Sequence, residues 1–181
     1  MKQFMDPYGT HLPLLLACAG LVDGPILELG CGEYSTFALH EICRWKERLL
    51  VSLEQNPEWL ERFLPLQTPW HLVERVDNWA GCQRVDSELW KLAFVDHNDG
   101  ARRYLEIGRL AKVPLVVVHD TENRDYIYDL ILPKFKYAYT DSRFSPWTTV
   151  VSNSIDVGKA FGCPGFFYQR VGLPPGCKEP T

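Results

Sequence analysis

Several polar residues with useful chemistry stand directly after apolar runs in this 181-residue chain. Lys91 to Val95 runs into Asp96-His97, and Val113 to Val118 runs into His119-Asp120. A carboxylate beside an imidazole offers a proton acceptor and a group that orients it, near the pH at which imidazole titrates. His97 and His119 are therefore candidate bases, although either residue type also packs as a satisfied structural histidine. Leu49 to Leu53 ends on Glu54-Gln55. A carboxylate there can accept from both hydroxyls of a ribose. Trp70 to Val76 ends on Asp77-Asn78-Trp79, which offers an acceptor for an amino group and a ring for stacking. The same three residues also read as an ordinary aspartate-asparagine turn. Ile26, Leu27 and Leu29 lead into Gly30 and Gly32, where a backbone without side chains can pass close to a ligand.

These groups need strands that end together. Residues 26 to 36 read as a buried strand, a tight glycine turn and a helix start at Ser35-Thr36. Glu54 follows Gly32 by the roughly 20 residues expected of a nucleotide-binding βαβ unit. A dinucleotide fingerprint wants a third glycine, and Ser35 occupies that position. Glu28, two residues before Gly30, repels phosphates and suits a ligand carrying an ammonium group. Asn56-Pro57-Glu58-Trp59 marks a helix start by cap, proline and first-turn acid. Residues 113 to 118 form a continuous apolar run, which predicts cover on both faces and hence a parallel sheet.

The remaining pattern predicts a helix over 11–22 at the sheet edge and helical stretches over 100–111 and about 122–132, the latter stopped by Pro133. Arg102, Arg103, Arg109 and Lys112 read as a solvated face. Two late strands are expected over 135–140 and 148–151, followed from Gly158 by an irregular tail with Phe161, Phe166, Phe167 and Tyr168. The net charge of −4 argues against nucleic-acid binding by bulk electrostatics. The six cysteines form no Cys-x-x-Cys pair, so buried free thiols are expected and a zinc site is not. No apolar run suits a bilayer, and the first residues lack the pattern of a signal peptide. A cytoplasmic location is expected.

Leu27-Glu28-Leu29-Gly30-Cys31-Gly32, followed by Ser35-Thr36, resembles the first motif of class I S-adenosylmethionine-dependent methyltransferases, with the later positions similar to small O-methyltransferases. The resemblance covers roughly residues 7 to 152. It implies an α/β, Rossmann-like three-layer sandwich: a mostly parallel seven-stranded sheet, helices on both faces and an antiparallel last strand. The whole chain, 1–181, would be one domain, with a helical lid over 1–24, a core over 25–153 and an irregular segment over 154–181. The implied cofactor is S-adenosylmethionine. Its binding residues would be Glu28, Gly30, Gly32, Ser35, Thr36, Glu54 and Gln55, with Asp77, Asn78 and Trp79 at the adenine, Asp96 at the sulfonium end, and Tyr8 and His11 folding over it.

Asp96, His97, His119 and Asp120 match the acceptor side. The metal-dependent branch of the family holds a divalent cation with an aspartate after strand four and an Asp-Asn pair after strand five. Here Thr121 replaces the asparagine, leaving Asp96 and Asp120 as the metal candidates, and the two histidines favour a metal-free site. The resemblance implies methyl transfer to a small-molecule or sugar-like acceptor, without nucleic-acid or membrane partners. A non-catalytic module or subunit binding the same cofactor is the alternative, and an NAD-dependent oxidoreductase a weaker one, opposed by Glu28 and Ser35. Neither the acceptor nor the oligomeric state is encoded in a motif.

Overall fold

Strands that are apolar on both sides are stable only when both faces are covered, and the computed structural model, which describes residues 6–161, meets that requirement. Seven strands, β1 Ile26–Leu29, β2 Leu50–Glu54, β3 His71–Arg75, β4 Leu92–Val95, β5 Leu115–His119, β6 Tyr137–Asp141 and β7 Thr148–Ser152, form one sheet in the order β3-β2-β1-β4-β5-β7-β6. β1 to β5 are parallel, and β7 runs against both of its neighbours. The strand order turns back at β1, and the crevice at the carboxyl ends beside it is where such sheets bind ligands.

Alternate residues of each strand face opposite layers. Ile26, Leu50, Leu92, Phe94, Leu115 and Val117 pack with helices α1 (Leu12–Leu21) and α2 (Ser35–Trp45). Helix α3 (Pro57–Phe63) joins this layer beside β3, where Phe63 meets Phe37 of α2. Leu27, Leu29, Val51, Ala93, Val116 and Val118 pack on the other face with Trp79, Trp90, Ile107 of α4 (Arg103–Arg109) and Tyr128. The expected helix start before α3 is realised: the Asn56 side chain accepts from the N–H groups of Glu58 and Trp59.

Three expectations need correction. α1 packs on the middle of the sheet and not at its edge, because Leu14, Leu15, Cys18 and Ala19 find their widest apolar partner over β4 and β5. It is thus a layer of the core, and residues 6–11, just before it, reach the strand ends. Residues 122–132 form no α-helix. Asn123 caps a short 3-10 turn at 124–126, and Ile127, at φ 56°, interrupts before the turns at 128–130 and 132–134. A left-handed residue cannot continue an α-helix. The tail begins with a short helix, α5 (Val157–Phe161), where Asp156 accepts from the N–H of Lys159 and Phe161 meets Tyr139. The rest of the expected irregular tail, with Phe166, Phe167 and Tyr168, lies outside the described residues. Cys18, Cys31 and Cys43 are buried free thiols and Cys82 a half-buried one. Among the described residues, no helix is long and apolar enough to cross a membrane.

Candidate active site

The glycine loop after β1 is shaped by close backbone approach. Gly30 has φ 94°, and a Cβ there would stand 2.6 Å from the backbone N and Cα of His97. Only glycine fits, because the loop crosses the end of β4 in contact with it. Glu54, buried at the end of β2, fastens the loop: Oε2 accepts from the Cys31 N–H at 2.9 Å and Oε1 from the Asn56 N–H at 2.8 Å. The Trp59 indole donates to the Cys31 carbonyl at 2.6 Å. Each Glu54 oxygen keeps a second lone pair, and the residue lines an open cleft of about 470 Å³ with Gln55, Asn56, Pro57, Glu58 and Asn98.

Glu28, Ser35 and Thr36 lie beneath this loop, closed to solvent. Thr36 Oγ1 accepts from the Gly32 N–H at 2.9 Å. Glu28 Oε2 accepts from the Ser52 hydroxyl at 2.6 Å, while Oε1 has no hydrogen-bond partner. Ser52 Oγ in turn meets His71 Nε2 at 3.0 Å, and His71 Nδ1 meets His40 Nδ1 at 2.9 Å. Burial pushes Glu28 up to about 7, against the pull of the Ser35, Ser52 and Thr36 hydroxyls. Burial likewise lowers His71 to about 4. These buried groups shape the loop from below and do not line the cleft.

The turn after β3 divides. Asp77 is exposed and paired with Arg75 at 3.0 Å, and the Asn78 side chain caps the next turn through the Ala80 N–H. Gln55 is exposed and its Oε1 accepts from the Trp79 indole at 3.0 Å. Trp79 itself is 1 % exposed and stacks on His97, with ring centroids 4.3 Å apart and planes 22° apart. The expectation that its ring stacks on adenine is therefore corrected: the ring sits in the core and already has a partner.

The same contact removes His97 from the acceptor site. It is 1 % exposed, neither ring nitrogen makes a hydrogen bond, and the Glu106 carboxylate lies 3.6 Å away on the α4 side. Burial lowers its pKa, against the pull of Glu106. Asp96 and His119 do meet: His119 Nδ1 lies 3.2 Å from Asp96 Oδ2 and 3.6 Å from Asp120 Oδ1. Asp120 adopts φ 59°, a left-handed conformation that aspartate tolerates.

The group that organises this cluster was hidden in the sequence. Arg103, expected on a solvated face, is 4 % exposed and bridges both carboxylates, Nη2 to Asp96 Oδ1 at 3.0 Å and Nη1 to Asp120 Oδ2 at 3.1 Å. Its Nε donates to the His97 carbonyl at 2.6 Å. Arg109 also leaves the solvated face in part, donating to the carbonyls of Trp79 and Cys82. The alternating charges of 102–112 concealed both, because their partners lie on other segments.

Burial alone would raise Asp96, but the hydrogen bond from His119 and the charges of His119 and Arg103 hold it below the usual carboxylate range. Burial and the Asp96 charge push Asp120 up, against His119 and Arg103. Burial would lower His119, yet Asp96 and Asp120 outweigh it and raise its pKa.

Residues 6–11 close the cluster from above. Thr10 Oγ1 lies 2.9 Å from His119 Nε2 and donates to the Pro146 carbonyl at 2.7 Å. Gly9 packs against the Tyr34 ring beyond the glycine loop. This strap therefore runs from the end of β1 to the end of β5. Tyr8 is 79 % exposed on it, and His11 is buried against Phe94 and His119. The metal set implied by the resemblance does not fit these residues. Both Asp120 oxygens are already engaged, Oδ2 by Arg103 at 3.1 Å and Oδ1 facing His119 Nδ1 at 3.6 Å, and Thr121 Oγ1 accepts from the Thr149 hydroxyl at 2.9 Å.

Solved structures share this architecture. A methyltransferase of Podospora anserina, PaMTH1, solved with SAH, aligns with a TM-score of 0.60 at 15 % identity, over 78 % of this chain and 77 % of its own. The T. thermophilus 16S rRNA N2 G1207 methyltransferase RsmC, solved with AdoMet and guanosine, aligns with a TM-score of 0.50 at 12 % identity, over 82 % of this chain and 40 % of its own. No family model matches the chain. No curated protein matches it. At these identities the likeness establishes a fold: the chain has that of class I S-adenosylmethionine-dependent methyltransferases, with the seven-stranded mixed sheet expected of it.

Proposed function

We propose that this chain is an S-adenosylmethionine-dependent methyltransferase acting on a small-molecule or sugar-like acceptor. One observation supports this above the others: Gly30 lies against the backbone of Asp96 and His97. A ligand held by the glycine loop and Glu54 therefore has one end at the Asp96–His119–Asp120 cluster. In this reading Glu54 and Gln55 take the ribose, Asp77 the adenine edge, and the loop the amino-acid end.

The chemistry asks little of the chain, because the sulfonium is already an activated donor. An acceptor oxygen attacks the methyl carbon in line with the C–S bond, whose electron pair passes to sulfur, and the acceptor proton leaves onto the Asp120 carboxylate. Placement is the main contribution. Arg103 and His119 hold the two carboxylates in position for it. RsmC is named for a ribosomal RNA guanine, but a net charge of −4 suits this chain to acceptors without a phosphate backbone.

Calorimetry should show S-adenosylmethionine and its demethylated product binding in the micromolar range, about −8 kcal/mol, with no response to NAD. Tight NAD binding without a response to the methionine-based cofactor would overturn the reading. Transfer of labelled methyl from the cofactor to the small-molecule fraction of an extract tests the acceptor class, and label in the RNA fraction would reassign it.

A further inference from the structure

Among the buried groups that the proposed reaction leaves unused, one lies against the cluster itself. His11 is 2 % exposed, and neither of its ring nitrogens has a hydrogen-bond partner. Buried polar groups in this state call for an explanation. Its ring lies edge-on to His119 with centroids 4.8 Å apart. One ligating atom each from His11, Asp96 and His119 lie within 4.8 Å of one another.

The geometry points to a binding site for a borderline divalent transition metal, such as zinc, iron(II) or cobalt(II), formed by His11, His119 and Asp96. The 3.2 Å between His119 Nδ1 and Asp96 Oδ2 matches the spacing of about 3.0–3.4 Å between neighbouring ligands of an ion with bonds of about 2.0–2.2 Å. The widest separation, up to 4.8 Å, then shortens by about 1.5 Å as the ion draws His11 inward. Two imidazoles and one carboxylate suit transition metals and not magnesium, which prefers oxygen.

The surroundings are those of a metal site. For His119 the other ring nitrogen has the kind of hydrogen-bonding partner that orients a ligating imidazole, with Thr10 Oγ1 2.9 Å from Nε2. Arg103 fixes Asp96 through Oδ1 and leaves Oδ2 for the ion. Three protein ligands leave coordination positions open for an acceptor oxygen, which the ion would hold and polarise. This set differs from the oxygen-only one excluded above, since Asp120 and Thr121 take no part.

The full chain, stripped with EDTA and titrated with cobalt(II), should bind one equivalent and develop a visible spectrum without a thiolate charge-transfer band. X-ray absorption on that complex should show two imidazoles and only nitrogen and oxygen ligands. His11→Gln should weaken cobalt binding at least tenfold. His40→Gln, at the separate His40–His71 contact, should leave it unchanged. Sulfur ligands, fewer than two imidazoles in the wild type, or undiminished binding by a folded His11→Gln would overturn the assignment. Should His11→Gln fail to fold, the wild-type absorption spectrum decides alone. None of these readouts involves methyl transfer, so their failure leaves the proposed function standing.

Discussion

The β1–β2 half of the site and the β4–β5 half are held by opposite means. At β1–β2, the side chains of Glu54, Thr36 and Trp59 each bind backbone groups of the glycine loop, and Gly30 lets that loop pass against β4. That half is local: the hydrogen bonds described for it span at most 31 positions. At β4–β5, charged side chains hold one another, and the strap that covers them comes from the far end of the chain, Thr10 reaching across 136 positions to Pro146. A backbone-built half resists change by geometry. A charge-built half depends on each member keeping its partner, and so should fail in a different way.

The largest expected effect breaks the charge-built half. Arg103→Met leaves two part-buried carboxylates without their cation and should lower stability by about 3–5 kcal/mol, read by denaturant unfolding. Little change would show that solvent already screens Asp96 and Asp120. Gly30→Ala probes the other half. Its Cβ would meet backbone, which cannot rotate away, and its φ is left-handed. A loss of about 2–3 kcal/mol is expected, and a neutral outcome would mean the loop has another path across β4.

Glu28→Gln distinguishes the halves by pH. Glu28 titrates at about 7 in the fold, above the roughly 4.3 of an unfolded glutamate. Its protonated form is the one the fold prefers, so its contribution is whole below about pH 4.3 and lost as pH rises through 7. The variant should therefore be more stable than the wild type at pH 8, by on the order of 3–4 kcal/mol, with the difference vanishing towards pH 4. A constant difference across that range would place Glu28 in a wetter setting. Tyr8→Ala should change stability by less than about 0.5 kcal/mol, as befits an exposed residue. A larger loss in thermal melts would mean the strap is held at its tip as well as at Thr10.

The sheet was legible because its strands are short apolar runs ending on polar residues, and the Asn56 cap because its chemistry lies within four residues. Asp96, His119 and Asp120 were legible as strand ends. Which neighbour faces the crevice was not. His97 follows Asp96 directly, yet it turns towards Trp79 and Glu106, a choice made by α4 packing from below. Arg103 could not be separated from Arg102 and Arg109 by local pattern, since its anchors Asp96, His97 and Asp120 all lie at strand ends outside its own helix. Ile127 gave no sign of its left-handed backbone, so the turns over 122–132 read as one helix.

The buried line from Glu28 through Ser52 and His71 to His40 also acts as an alignment pin. Ser52 lies opposite Glu28 in the pairing of β1 with β2. Slipping β2 by one residue would turn Ser52 to the other layer. Slipping it by two would set Leu50 or Glu54 against the carboxyl, pairing it with an alkyl group or a second acid. Apolar strands of similar shape slide past one another at little cost, and here the one polar pairing inside them makes a single alignment the favoured one.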